Sequence, residues 1–421
     1  MQKPIDRQML NLAKNAKASC VEMAGISTSL KNQALISFSG ALIREKDFII
    51  RENRKDLKAG GRLRLPAASI DRLVLNEERL KKMSRSLRSL AGLNDPVGEV
   101  IKQWRVASGL LIKKVRVPIG VIAIIYESRP DVTSDCIGLC LKSGNCLILR
   151  GGSEAINSNR AIFRVLSAAA HKLSIPKGAI NFVPVTDRAA VKALLRLNGY
   201  IDLVIPRGGE GLIRQVAAIS RIPVIKHYKG ICHVYVDAAA DLNMAREICF
   251  NAKVQRPGVC NAMESLLVHR GVASEFLPEM IKMFNQAGVE IRGCGLTRKI
   301  VKTKVIKARE EDYRSEYLSL KLSVKVIEDI AAAVRHINFY GSGHSDAIIT
   351  DDHKAAEYFL NKVDSACVYH NASTRFTDGY EFGLGAEMGI STDKIHARGP
   401  MALEELTTYK YKVFGSGQVR T

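Results

Sequence analysis

Acidic residues are few in this chain. Over 421 residues, 42 Asp and Glu stand against 63 Lys and Arg, a formal net charge of +21. Such a balance raises nucleic-acid binding as a hypothesis. The bases, however, are spread along the chain without a Lys/Arg block, and aromatics make up only 6%. That disfavours a nucleic-acid groove and suits an enzyme whose substrates are anions. Paired cysteines are also missing: the nine cysteines are odd in number, and none has zinc-finger spacing. This excludes a disulfide framework, and no metal site is expected. Cys136, Cys140 and Cys146 lie on apolar segments and read as reduced core thiols of a cytoplasmic protein. No apolar run is long enough to span a bilayer, so no membrane partner is expected. Met1 to Cys20 is charged and lacks an apolar segment, so no signal peptide is expected. There are no repeats, no low-complexity linkers, no Gly-x-Gly-x-x-Gly and no Walker A sequence. What remains is globular composition, 47% hydrophobic and 25% charged, with length for two or three domains.

Residues 1 to about 100 carry helical spacing: Met9, Leu12, Ala13, Ala16 and Val21, then Leu80, Met83, Leu87 and Leu90. Strand-like segments around Ser108-Gly109 predict a hairpin near 101–118. Gly120 to Tyr126 is a continuous apolar β-rich run, the pattern of a strand buried on both faces of a parallel sheet. Further strands are expected at 145–150, 180–185, 201–205, 224–227 and 232–236, alternating with helices. This is a doubly wound α/β sheet, whose ligands bind at the carboxyl ends of the strands. A second α/β region follows Asp237, with strands near 320–327, 347–350 and 365–369. The tail, Leu406 to Val413, then Gly415-Ser-Gly417, then Gln418-Val-Arg, reads as another hairpin.

Two strand ends are glycine-rich and basic: Arg150-Gly151-Gly152-Ser153 and Arg207-Gly208-Gly209. Each precedes a helix, where unpaired backbone N–H groups and the helix dipole attract anions. Two such ends in one sheet point to a phosphate-bearing cofactor, and Glu154 is placed to accept from ribose hydroxyls. The nucleophile candidate is Cys260, between the turn signal Pro257-Gly258 and the apolar run 265–269. The turn presents it at the end of an element. Lys253 and Arg256 lie close in sequence, and nearby positive charge favours the thiolate.

Several longer segments carry a resemblance. They are Tyr126-Glu-Ser-Arg-Pro-Asp-Val-Thr133, Leu141-Lys-Ser-Gly-Asn145, Leu149-Arg-Gly-Gly-Ser-Glu154, Pro206-Arg-Gly-Gly209, Gln255-Arg-Pro-Gly-Val-Cys-Asn-Ala262, His370-Asn-Ala-Ser-Thr-Arg-Phe-Thr-Asp-Gly379 and Gly399-Pro-Met-Ala-Leu-Glu-Glu-Leu406. Together they resemble the gamma-glutamyl phosphate reductases, the glutamate-5-semialdehyde dehydrogenases of proline biosynthesis. These form a branch of the aldehyde dehydrogenase superfamily, and the resemblance covers essentially the whole chain. It implies an aldehyde dehydrogenase-like α/β fold: a doubly wound NADP-binding domain over 1–100 and 119–228, an α/β catalytic domain over 229–395, and a β-hairpin oligomerisation arm from 101–118 and 403–421. The implied reaction is reduction of L-glutamyl 5-phosphate to glutamate 5-semialdehyde with NADPH, in a homo-oligomer, with glutamate 5-kinase as functional partner.

The resemblance also implies roles for individual residues. Cys260 is the nucleophile, and Ser128 stands where aldehyde oxidisers of the superfamily carry an oxyanion-hole Asn. Arg150, Gly151, Ser153 and Glu154 face the adenosine half of the cofactor, Arg207, Gly208 and Gly209 the pyrophosphate, and Glu316 the nicotinamide ribose. Arg129 and Arg256 are candidates for the substrate phosphoryl group, and Asn371 and Ser373 for its amino-acid end. Two departures bear on chemistry. Ile225-Lys226-His227 replaces the stretch where aldehyde oxidisers carry a general-base Glu. That Glu activates water to hydrolyse a thioacyl enzyme, a step that an acyl-phosphate reductase must avoid. Tyr228-Lys229 also replaces a usually acidic stretch. The alternatives are an NADP-dependent aldehyde dehydrogenase with another substrate, and a basic nucleic-acid-binding protein on the same fold.

Overall fold

The structure, a computed structural model, describes residues 4–127 and 129–420. The chain divides into two compact units: residues 1–226 with 383–389 and 401–421, and residues 227–382 with 390–400.

The first unit opens with helices Pro4–Ala24, Thr28–Arg44, Lys46–Arg62, Ala67–Leu73 and Glu77–Gly92. The spacing of Leu80, Met83, Leu87 and Leu90 puts all four in the core. In the first helix Met9, Ala13, Ala16 and Met23 are buried, whereas Val21 is 85% exposed. The buried stripe of that helix therefore ends on Met23, two positions beyond the residue that periodicity favoured. Strand β1 (Val100–Arg105) pairs antiparallel with β2 (Leu111–Pro118) through the expected turn, where Gly109 takes φ +86°. The C-terminal strand Thr407–Phe414 adds to the other side of β2, in register from Thr407 opposite Pro118 to Phe414 opposite Leu111. The tail is thus one strand rather than a hairpin. Beyond it the Gln418 side chain accepts from the Ser416 N–H at 2.7 Å, closing a local turn that leaves residues 418–420 outside any ladder.

A four-stranded parallel sheet forms the centre of this unit, in the order β5 (Ile180–Phe182), β4 (Cys146–Gly151), β3 (Val121–Tyr126), β6 (Leu203–Arg207). All six residues of β3 and all six of β4 are buried, as their unbroken apolar runs require. Each fully buried Val or Ile contributes roughly 1.5–3 kcal/mol. The expected strand at 224–227 reduces to a single bridge between Val224 and Val204. Both hydrogen bonds of that bridge are made, Val204 N–H to the Pro223 carbonyl and Ile225 N–H to the Val204 carbonyl, but the next would need an N–H from Pro206 of β6, which has none. At the carboxyl end of β3, Tyr126 stands opposite Gly151 of β4 on one side and Arg207 of β6 on the other. Sheet order thus places the two glycine-rich basic turns on either side of residue 127.

The second unit is built on a seven-stranded parallel sheet: β7 (Cys232–Val236), β8 (Met263–His269), β9 (Glu290–Gly293), β10 (Ile306–Lys307), β11 (Lys321–Ile327), β12 (Ser345–Ile349) and β13 (Cys367–His370). Its spatial order is β10-β9-β11-β8-β7-β12-β13. Helix Leu242–Val254 leads into the Cys260 turn. Asp241 caps its start, accepting from the Asn243 and Met244 N–H groups at 2.8 and 3.0 Å, a cap worth about 1 kcal/mol. Pro257 and Gly258 follow its end and stop it from continuing. Among the described residues no helix is long and apolar enough to cross a membrane, and no cluster of His, Cys, Asp or Glu could hold a metal ion.

Candidate active site

The turn before β8 carries Cys260, half-buried. Its backbone is gripped from β7: the Cys232 thiol donates to the Cys260 carbonyl at 3.2 Å. Gly230, just before β7, lies flat against the same peptide. A Cβ on Gly230 would sit 1.9 Å from the Cys260 carbonyl oxygen and 2.7 Å from its Cα, so only glycine fits. The Gly230 N–H donates to Glu316 Oε1 at 2.8 Å. Glu316 thus stands beside the Cys260 turn, on the loop before β11.

These groups gather at the amino ends of β7, β8, β11 and β12, the edge opposite to the one that ligands use in open α/β sheets. Below Cys232, the His344 ring Nδ1 lies 2.8 Å from Ser345 Oγ, and Ser345 Oγ lies 2.6 Å from Thr377 Oγ1. This polar row fixes the 373–377 loop to the amino end of β12. Arg375 follows from it, a residue that sequence reasoning quoted within a motif but did not single out. Its Nε donates to Gln255 Oε1 at 2.9 Å, and its Nη1 donates to the Asn261 side chain. Asn261 in turn donates to the Thr377 carbonyl at 2.8 Å and accepts from Thr374 Oγ1 through its own carbonyl. Burial, then the neighbouring Arg256, pull the Arg375 guanidinium below its ordinary range, while Cys260 opposes them. Arg375 and Arg256 thus both lie by the Cys260 turn.

Lys253 has a different place. Its ammonium is fully buried and paired with Glu264 at 2.7 Å. Its charge is matched by that carboxylate and does not serve Cys260, contrary to the expectation from sequence proximity. Asn371 also departs from its expected role. It adopts φ +53° at the carboxyl end of β13, its Oδ1 accepts from the Thr350 N–H at 2.9 Å, and its Nδ2 donates to the Thr350 carbonyl at 3.0 Å. Both ends of the amide are used on backbone, a strand's length (about 13 Å for five residues) from the edge that holds Cys260. Ser373 is buried and caps the short helical turn Thr374–Phe376, accepting from the Arg375 N–H at 3.3 Å. It orders the loop that delivers Arg375 instead of facing a ligand.

In the first unit, Arg150 ends β4. It is nine-tenths buried, and its Nη2 donates to the Thr186 carbonyl at 2.8 Å. Its Nε is buried with no hydrogen-bond partner. Burial lowers its guanidinium and the Glu154 carboxylate opposes that shift. A buried guanidinium with an unsatisfied N–H beside a small-residue turn fits a cofactor's anionic or hydroxylic group. Gly151 is needed for packing, since a Cβ there would lie 2.1 Å from Asn159 Nδ2. Ser153 is exposed on the turn, and the Glu154 carboxylate folds back over Gly152.

The other strand end differs from expectation. Gly209 donates its N–H to Glu127 Oε2 at 2.8 Å, and the same carboxylate fills the space above Gly208. The chain's own Glu127 thus occupies the anion position at the start of helix Glu210–Ile219, and a phosphate there must displace it. Arg207 turns its guanidinium onto Gly389, where any side chain would collide with it. Nothing in the spacing marks Glu127 as the competitor; only the β4-β3-β6 order does. Arg129 is exposed next to this turn, and Ser128 lies outside the described residues.

A family model described as the aldehyde dehydrogenase family matches residues 12–293. A gamma-glutamyl phosphate reductase of Thermodesulfovibrio yellowstonii is 54% identical over 416 residues, covering 99% of both chains. The crystal structure of a gamma-glutamyl phosphate reductase from Thermotoga maritima superposes with a TM-score of 0.96 at 45% identity, covering 98% of this chain and 100% of that one. An engineered glycolyl-CoA reductase with bound NADP+ shares the fold with a TM-score of 0.69 at 14% identity, covering 96% of each chain.

Proposed function

Since the chain belongs to the aldehyde dehydrogenase family, and within it to the gamma-glutamyl phosphate reductases, we propose that it reduces L-glutamyl 5-phosphate to L-glutamate 5-semialdehyde in proline biosynthesis. The observation that carries this reading is Cys260, held by its backbone between Cys232 and Gly230 with its turn flanked by Arg256 and Arg375. The Cys260 thiolate attacks the acyl carbon of the substrate, and the acyl–oxygen bond breaks to release phosphate. The result is a thioester on Cys260. Arg375, held by Gln255 and Asn261, and the exposed Arg256 receive the phosphoryl charge as it leaves. The Cys260 backbone N–H serves as a donor to the oxyanion. A bound NADPH supplies a hydride to the thioester carbon. Collapse of the resulting thiohemiacetal returns the thiolate and frees the aldehyde. No acidic side chain occupies Ile225-Lys226-His227, so this stretch lacks the general-base Glu that aldehyde oxidisers use to activate water against the thioester.

For the cofactor, Arg150, Ser153 and Glu154 hold the adenosine half. Arg207, Gly208 and Gly209 take the pyrophosphate once Glu127 has yielded the Gly209 N–H. Glu316 faces the nicotinamide ribose. Arg150→Ala is expected to weaken NADPH binding by about 1.5–3 kcal/mol, the range for a hydrogen bond to a charged group. Titration of dinucleotide fluorescence checks this, and unchanged affinity would assign Arg150 a purely structural part. The sheet of β1, β2 and Thr407–Phe414 leaves strand edges that a second copy of the chain can cover, and we assign it the subunit contact of a cytoplasmic homo-oligomer. Glutamate 5-kinase, which makes the acyl phosphate, is the functional partner. The reading is tested by running the reaction backwards: NADP reduction by glutamate semialdehyde should require inorganic phosphate.

A further inference from the structure

Behind the nucleophile turn lies an ion pair that the chemistry above does not use. Lys253, on the last turn of helix Leu242–Val254, and Glu264, on β8, are both fully buried and meet at 2.7 Å. A fold that needed only stability would do as well with two apolar side chains of the same volume, because desolvating both charges consumes most of their attraction. The second oxygen of Glu264 explains why they are there. Oε1 accepts from the Leu318 N–H at 3.1 Å. Leu318 is a non-glycine residue held at φ +49°, in the left-handed region, where a side chain is strained unless its surroundings hold it. Two residues before Leu318, Glu316 accepts the Gly230 N–H, and Gly230 lies in direct contact with the Cys260 peptide.

We propose that Lys253 and Glu264 are positioning residues for the nucleophile. Lys253 orients Glu264, Glu264 holds Leu318 in its left-handed conformation, and that conformation presents Glu316 to Gly230 and sets the Cys260 turn. Glu264 is anchored on β8 directly after the turn, whereas the 316–318 loop has no strand of its own at that point, so the carboxylate ties a loose segment to a rigid one. Burial pushes the Glu264 carboxyl up to about 7 and pulls the Lys253 ammonium down, each opposed by the other's charge, and removing one partner leaves the other buried without a counter-charge.

This proposal rests on Cys260 being the nucleophile, and its test separates the two claims. Two double variants of the full chain are compared. Lys253→Met with Glu264→Gln removes both charges but keeps a carbonyl oxygen for the Leu318 N–H. Lys253→Met with Glu264→Leu removes that acceptor as well. The readouts are the rate of iodoacetamide alkylation at Cys260, followed by peptide mass, and kcat against KM for NADP. The Gln variant is expected to recover most of the wild-type alkylation rate and kcat. The Leu variant should fall about tenfold below it in both, with the unfolding midpoint little changed and KM for NADP raised by the displacement of Glu316. Equal rates in the two variants would overturn the positioning role. Absence of alkylation in the wild-type protein would instead overturn the nucleophile. Should the Leu variant fail to fold, hydrogen exchange on the unaltered protein decides: the Leu318 and Gly230 amides are expected to be protected and to open together, and unrelated exchange rates at the two would reject the linkage.

Discussion

Cys260→Ser is expected to lower kcat by roughly 10⁴-fold or more, the scale seen when an enzyme loses its attacking group, while NADPH still binds. Serine nearly matches cysteine in size, so the turn held by Cys232 and Gly230 keeps its shape. What changes is the anion. A hydroxyl, with a pKa far above that of a thiol, supplies almost no alkoxide at neutral pH. Steady-state kinetics and dinucleotide titration of the purified variant measure the two halves. Substantial turnover by the serine variant would remove Cys260 from the mechanism.

Gly230→Ala should have the second largest effect, and it touches no reacting atom. The added methyl would meet Cys260 backbone at 1.9 Å from the carbonyl oxygen, 2.6 Å from the carbonyl carbon and 2.7 Å from Cα. Backbone cannot rotate away as a side chain can. Either the start of β7 or the Cys260 turn must shift by an ångström or more. Overpacking of this kind costs about 1–3 kcal/mol. A 1 Å misplacement of a reacting group can cost about 10²-fold in rate, so kcat should fall by about that factor, and alkylation of Cys260 should change with it. Dinucleotide affinity, measured alongside, should fall less than kcat, because Arg150 is untouched and only Glu316 among the cofactor residues loses a partner. A Gly230→Ala enzyme with normal kcat would show that the contact does not set the nucleophile.

The sequence made some of this visible and hid the rest for physical reasons. β3 and β4 could be read because a strand buried on both faces has no polar positions, and both runs are unbroken. The β1–β2 hairpin could be read because Gly109 must supply a positive φ. β9 and β10 are short and carry Glu290, Arg292 and Lys307, so neither alternation nor an apolar run marks them. The tail looks like a hairpin in sequence because a glycine turn is followed by three residues, although the pairing partner of Thr407–Phe414 is β2.

At the site, Cys260 stood out because Pro257-Gly258 precedes it. Its immediate supports did not. Gly230, Glu316 and Arg375 reach it only through the order of parallel strands, and one-dimensional spacing carries no trace of that order. Proximity in sequence misled in the case of Lys253: the helix points it into the core, where Glu264 meets it. Asn371 misled in the same way, since its motif surrounds Arg375 but its own amide serves Thr350 at the other end of the sheet.

In the proposed mechanism a thioester on Cys260 is resolved by phosphate and protected from water. Stopped-flow measurement of NADPH formation from glutamate semialdehyde and NADP, with phosphate rigorously removed, tests it most directly. The expected trace is a burst of NADPH equal to the concentration of active sites, followed by a near halt, with continuous turnover restored when phosphate is added. Sustained turnover without phosphate would mean that water resolves the intermediate and would contradict the account, as would a phosphate requirement with no burst in its absence.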